Sequence, residues 1–336
     1  MKKTDPNLLL QSAPLLRQAL TTPSAMKDVW LALLPATLAA LWFFGLSALL
    51  IILASIFGAL LTEWVFTPIE KRKFAISDTS AGLTGLLLGL TLPPGLPIWM
   101  AFLGGVVSIG LGKVIWGGLG SNIFNPALLG RAFLLGTFPI AMTTWGSAGS
   151  PGDFFQLHSS NLAMPFMHGE IDAMSEATPL GLMKFEQQGT AFWNLFIGNT
   201  SGSIGETSGL LLLLGGLYLF LRRSINWRIP VAIFSTAGLF SLVLFLINDN
   251  LYPSPLFTLF SGGLLLGALF MATDPVTSPL TPKGCWIFGI SIGFLVVLIR
   301  NYGGLPEGVL YAILLMNAAT PLLDRYTQPQ VFGRQS

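Results

Sequence analysis

Charge is scarce in this chain: only 10% of its 336 residues are Asp, Glu, Lys or Arg. A soluble domain carries about 25%. So few charges cannot coat a water-soluble body of this size, and lipid must form part of the solvent. Cysteine is nearly absent. The single Cys285 excludes a disulfide framework, and it excludes an iron–sulfur cluster held by this chain alone, which would need about four thiolate or imidazole ligands. His158 and His168 are too few to supply pairs of haem ligands across a membrane. No dinucleotide fingerprint opens a soluble βαβ unit, so no motif here holds NADH. The N-terminal stretch, with Lys2 and Lys3 and then polar residues to Lys27, lacks the apolar core and cleavage site of a signal peptide. Any redox chemistry must come from an organic cofactor or from partners.

Apolar residues make up 52% of the chain, and the mean hydropathy is +0.71. Ten apolar runs fall at 29–46, 48–66, 79–92, 98–116, 126–144, 208–221, 229–247, 256–272, 284–299 and 305–320. Most approach the length of a bilayer-spanning helix, which predicts an all-α polytopic membrane protein with about ten transmembrane helices. Two runs are short and glycine-rich. One ends at Pro93-Pro94 and the other at Thr273-Asp274-Pro275, as expected of broken helices that line a site.

Nearly all basic residues fall on one side of a ten-span topology, with only Lys184 and Arg300 opposite. The positive-inside rule then puts both termini in the cytoplasm, and Lys113 and Arg131 near span ends on that side. Ser80-Ala81-Gly82-Leu83 is similar to Ser261-Gly262-Gly263-Leu264, and Trp116-Gly117-Gly118-Leu119 to Tyr302-Gly303-Gly304-Leu305. Each pair holds the same place in its half, which suggests two inverted five-helix repeats. The expected organisation is a cytoplasmic segment 1–28, a first repeat 29–144, an outer loop 145–206, a second repeat 207–320 and a cytoplasmic tail 321–336. Glu63, Lys113, Arg131 and Glu307 lie near span ends, where snorkelling accounts for them. Asp274 is the exception, because freed carbonyls beside a broken helix can help to hold a cation.

Two segments carry chemistry. The outer loop contains Asp172-Ala173-Met174-Ser175-Glu176-Ala177-Thr178-Pro179-Leu180. Taken alone, Ser175 or Thr178 caps a short helix that Pro179 opens. The second segment, Gly117 to Ala127, contains Asn122 and Asn125-Pro126 and reads locally as a tight re-entrant turn with Asn125 as helix cap.

The outer-loop segment resembles the flavinylation motif D-x-x-[S/T]-G-A-[T/S]. The family that carries it includes the D-type subunit of the Rnf-type electron transport complex and the B-type subunit of the sodium-pumping NADH:quinone reductase. Asp172, Ser175, Ala177 and Thr178 match, while Glu176 stands where the family has glycine. The resemblance implies FMN attached through its phosphate to Thr178 by a flavin transferase. Residues 117–127 resemble the family's G-G-x-G-x-N-x-x-N-P-A, which implies a non-covalent riboflavin near Asn122 and Asn125. The stretch from Ser12-Ala13-Pro14 through Leu33-Leu34-Pro35 to Phe44-Gly45, and the short segment ahead of it, resemble the Rnf branch.

The implied function is a flavin-carrying subunit, not catalytic alone, of a bacterial inner-membrane complex. That complex links NADH and ferredoxin to Na⁺ or H⁺ translocation, with Asp274 as a candidate for the ion path. Its expected partners are the other subunits, a second covalent-FMN subunit among them, and lipid, with no nucleic acid. The B-type role in the quinone reductase keeps the flavins and changes the electron acceptor. A non-redox inverted-repeat channel or transporter explains the spans equally well, but not the Asp-x-x-Ser-x-Ala-Thr segment.

Overall fold

A computed structural model describes residues 21–69, 72, 78–146, 154–155, 157–165, 177–206, 208–249 and 251–328. No β-strand occurs among the described residues, and helix occupies each of the ten apolar runs. The first helix, α1 (Thr22–Phe66), has 45 residues. At 1.5 Å per residue this is about twice the thickness of a hydrocarbon core. Gly45, at φ +58°, divides it by a kink into 22–44 and 46–66. The Leu46 amide at the kink donates to Phe154 O at 2.9 Å, and the His158 amide donates to Ser47 Oγ at 3.2 Å. The long loop therefore satisfies the backbone that the kink frees, as an apolar environment requires.

After α1 come α2 (Ser80–Leu90), α3 (Ile98–Ile109, continued by a π-turn, Gly110–Val114), α4 (Pro126–Thr137) and α5 (Pro139–Thr143). The loop between the halves holds α6 (Pro179–Gly181, continued as Leu182–Glu186) and α7 (Phe192–Ile197). The second half holds α8 (Gly209–Leu221), α9 (Arg228–Ile247), α10 (Pro255–Phe260), α11 (Leu264–Leu266, continued as Gly267–Met271), α12 (Pro282–Tyr302) and α13 (Val309–Thr327). Helices α1, α9 and α12 are long and apolar enough to cross a membrane, and the chain is a membrane protein.

Two runs differ from a single span. The 126–144 run breaks at Phe138, because Pro139 has no amide to continue the ladder. The 256–272 run breaks at Ser261-Gly262-Gly263, where Gly262 takes φ +62°. Thr79, just before α2, takes φ +59°, so both short glycine-rich helices begin beside a left-handed residue.

The second part of α1 packs on α2 and α3, and α9 packs on α12; α4 lies against α3, and α13 against α12. Close approach at these crossings depends on missing side chains. A Cβ at Gly105 would overlap Ser55 O, and one at Gly293 would come within 2.7 Å of Ile233 O. Lipid offers no hydrophobic drive for helix association, so small residues and dispersion hold such crossings together.

Hydrogen bonds also sort the connections into two groups. The 145–206 loop bonds to residues 46–47, to 90–96 and to 300–305. Its bonds include Asn161 Nδ2 to Pro94 O and Leu96 O, Ile204 N to Leu92 O, and Lys184 Nζ to Arg300 O and Leu305 O. Elsewhere, Arg222 pairs with Asp28, Asn226 donates to Cys285 Sγ, and the Leu280 amide donates to Asp324.

Candidate functional site

Two cavities collect the chemistry-bearing residues, and α4 runs between them. The first lies beside Thr178. This residue caps α6, its Oγ1 accepting from the Gly181 amide at 3.1 Å, with Pro179 in the first turn as the sequence predicts. The Ser201 hydroxyl donates to Ala177 O at 2.9 Å and fixes the strand of chain leading to Thr178. Thr178 is half-buried and borders a cavity of about 380 Å³, walled by Leu135, Met142, Trp145, Phe185, Tyr311 and Arg131. The wall is mostly apolar and aromatic, with Arg131 set beside the carboxylates of Glu307 and Glu186, and it suits a planar ring system. Asp172 and Ser175, the remaining motif residues, lie outside the described residues.

Behind this cavity is a buried charge cluster. Arg131 donates to Glu307 Oε2 at 2.9 Å and to Glu206 Oε1 at 3.5 Å. Glu307 Oε1 accepts from the Gly263 amide at 2.7 Å. Burial, reinforced by the neighbouring Glu307 carboxylate, pushes Glu206 up to about 7, against the pull of Arg131.

The two cations that break the charge asymmetry of the sequence have specific partners here. Arg300 donates to Thr258 O at 2.7 Å and Ser261 O at 2.9 Å, the carbonyls freed where α10 ends. Lys184 Nζ donates to the carbonyls of Arg300, Gly303 and Leu305 around the end of α12. Both satisfy acceptors that a broken helix exposes.

The second cavity, of about 90 Å³, is bordered by Ser80, Lys113, Asn122, Asn125, Phe270 and Asp274, so three sequence candidates meet in one place. The Asn125 side chain is fully engaged. Its Oδ1 accepts from the Ala127 and Leu128 amides at 3.0 and 3.3 Å, and its Nδ2 donates to Met271 O at 3.2 Å. Asn122 is not: its Nδ2 reaches Phe124 O at 3.3 Å, but its buried Oδ1 has no partner. A buried orphan acceptor carries a penalty unless a donor arrives. It fits an imide N–H such as that on the edge of an isoalloxazine ring. Asp274 is half-buried, and its carboxylate accepts from the Val276 amide at 3.2 Å and the Thr277 hydroxyl at 3.3 Å.

Three expectations about charge need correction. Glu63 and Lys113 do not snorkel. Each is 4% exposed, and Lys113 Nζ contacts Glu63 Oε1, donates to Ser80 Oγ at 2.6 Å and lies 4.0 Å from Asp78. Glu307 pairs with Arg131 instead of reaching for water. Arg131, expected to snorkel from a span end, is 8% exposed and pairs with Glu206 and Glu307. At the start of α4 the Asn125 amide donates to the Asn317 side chain in the middle of α13, and six further residues carry Arg131 about 9 Å along the helix to these partners. Glu206 stands out by no motif; its partners come from distant parts of the chain.

A model of the NQR2, RnfD, RnfE family matches residues 9–333. A Clostridium ljungdahlii protein, named as the D subunit of a proton-translocating ferredoxin:NAD(+) oxidoreductase complex, is 42% identical, covering 96% of each chain. The D subunit of the Stutzerimonas stutzeri ion-translocating oxidoreductase complex is 42% identical, over 93% of this chain and 92% of its own. The D subunit of the Acetobacterium woodii Na(+)-translocating ferredoxin:NAD(+) oxidoreductase complex is 40% identical, over 97% and 96%.

Proposed function

Because the chain belongs to the NQR2, RnfD, RnfE family, we propose that it is the flavin-carrying D-type membrane subunit of a redox-driven ion pump linking ferredoxin and NADH. FMN is esterified through its phosphate to Thr178, and a non-covalent riboflavin binds near Asn122 and Asn125. The observation that carries this reading is a threonine hydroxyl at the edge of an aromatic-walled cavity with Arg131 in its wall. A phosphoester needs a hydroxyl, which Thr178 supplies. When bound, FMN supplies electron transfer in single steps. This chain tethers it and excludes water with Leu135 and Met142. At the second cavity, Asn122 Oδ1 accepts a hydrogen bond that nothing else in the described chain donates.

The membrane arrangement is two inverted repeats of five helices, divided as 29–144 and 207–320, with both termini cytoplasmic and the flavin loop on the outer face of the inner membrane. The grouping of hydrogen bonds supports it. The 145–206 loop touches connections that a ten-span topology puts on its own side, while Asp28, Arg222, Cys285 and Asp324 meet on the other. Partners are the other subunits of the complex, including a second covalent-FMN subunit, and a flavin transferase for maturation. The coupling ion is H⁺ or Na⁺; relatives of nearly equal similarity carry names with either. The relatives' names favour the D-type role over the B-type role in the quinone reductase. A non-redox transporter leaves the Thr178 cavity without a purpose.

The test is expression with a flavin transferase, then a denaturing gel viewed for flavin fluorescence and mass analysis of the Thr178 peptide. Wild type and Thr178→Ser are expected to carry the FMN adduct, and Thr178→Val to lack it. A bare wild-type peptide refutes the assignment.

A further inference from the structure

We infer that Glu206 is the group that takes up a proton when an electron enters the Thr178 cavity, so that charge there is balanced by this chain and not by the cofactor. The inference rests on the reading that Thr178 carries a flavin. Its own support is the geometry of Glu206 and Glu307. A Cβ built on Gly263 would lie 2.7 Å from Oε1 of each, so the two carboxyl groups converge on one point. Two carboxylates in one buried site do not both ionise freely, and one holds a proton more tightly.

The donors decide which one. Glu307 receives the Gly263 amide at 2.7 Å and the Arg131 guanidinium at 2.9 Å, two strong bonds that take up the nearby donors. Glu206 has only a long 3.5 Å contact with Arg131. The charged groups facing it are Arg131 from α4, Arg300 from α12 and Glu307 from the connection that follows α12. Glu206 is therefore the proton-holding member. Two nearby guanidinium groups also make the cluster a poor metal site, and the described residues contain no grouping fit for a metal ion.

Thr178, Glu206 and Glu307 border the same small cavity of about 40 Å³. Arg131 and Glu307, which converge with Glu206, also border the cavity of about 380 Å³, so negative charge arriving in that cavity acts on Glu206 through a medium of low dielectric. The step is balanced. One electron enters from a reduced partner, one proton moves from water to the Glu206 carboxylate to form the neutral acid, and the total charge of the cavity is unchanged. Oxidation releases the proton.

The experiment uses the full chain with its Thr178 adduct verified by mass. The one-electron midpoint potential is followed spectroelectrochemically upward from neutral pH, with reduced-minus-oxidised infrared spectra in parallel. Wild type is expected to shift by about 59 mV for each tenfold change in proton activity. A protonated-carboxyl band should appear on reduction. Glu206→Gln is expected to lose both the slope and the band. Glu206→Asp, which keeps a carboxyl group if the amide variant fails to fold, is expected to retain both with a displaced onset. A full slope in Glu206→Gln, or no carboxyl band in reduced wild type, overturns the inference while leaving the flavin assignment intact. A bare Thr178 peptide overturns the flavin assignment, and this inference with it, and is recognised by mass alone.

Discussion

Replacing Lys113 by methionine should destabilise the protein by about 4 kcal/mol at neutral pH, and the loss should fall to about 1 kcal/mol at about pH 5. Lys113 and Glu63 have side chains that are each 5% exposed, so neither can turn to water. Glu63 Oε2 already lacks a partner, and without Lys113 the whole carboxylate would be orphaned. Asp78 would fare better, because its Oδ1 keeps the Ser80 amide at 2.8 Å and hydroxyl at 2.7 Å. Breaking a buried ion pair costs about 3–5 kcal/mol. A second route gives a similar figure. The variant can escape by protonating Glu63; from an ordinary value of about 4.3, this costs ~3.7 kcal/mol at pH 7 and ~1 kcal/mol at pH 5. Denaturant unfolding in mixed micelles, followed by tryptophan fluorescence at the two pH values, reads the difference. Glu63→Gln combined with Lys113→Met should recover most of the loss, since neither charge is then buried. A Lys113→Met deficit below about 0.5 kcal/mol at both pH values, or one independent of pH, would refute the reasoning.

Other expectations concern packing, capping and acid stability. Gly105→Ala forces a methyl group onto Ser55 O and should cost about 1–3 kcal/mol, whereas Gly136→Ala in α4, with nothing within 4 Å, should gain up to about 1 kcal/mol; paired thermal unfolding curves compare them. Asn125→Ala removes the α4 cap and should lower stability by about 0.5–2 kcal/mol, while Asn122→Ala should leave stability within about 0.5 kcal/mol yet reduce the riboflavin retained on purification. Glu206 binds its proton more tightly in the fold, at about 7 against an ordinary 4.5. Its stabilising contribution is therefore complete below the ordinary value and disappears as pH rises through the folded one. Glu206→Gln should flatten that part of the unfolding midpoint against pH.

The helices are legible in the sequence because long apolar runs report directly on solvent, and the boundary between the first two runs falls beside the Gly45 kink. The local caps are legible too: Asn125-Pro126 and Thr178-Pro179 carry their geometry within four residues. The charge pairs are not. A lysine near the end of an apolar run looks the same whether it reaches for headgroups or for a carboxylate. Lys113 finds Glu63 50 residues away, and Arg131 finds Glu307 176 residues away. Run length alone does not reveal that Arg131 is buried against two carboxylates instead of reaching for headgroups. The orphan acceptor on Asn122 is likewise a tertiary fact, since local sequence shows only that Asn125, three residues on, has a cap to make.

Comparison of the two halves of the chain also shows why the two cavities are not equivalent. In each half a cation near the end of the fourth helix donates to the serine beside the broken third: Lys113 to Ser80 Oγ, Arg300 to Ser261 O. In the first half the balancing acids, Glu63 and Asp78, are local. In the second half Arg300 is spent on carbonyls, and Glu206 and Glu307 must take their cation from α4 of the other half. The same helix begins at Asn125, bonded to Met271 and Asn317 of the second half. Thus α4 is bonded to the opposite half of the chain at two points about 9 Å apart, one in each cavity. A rigid helix held in this way cannot move relative to the second half without disturbing both sets of bonds.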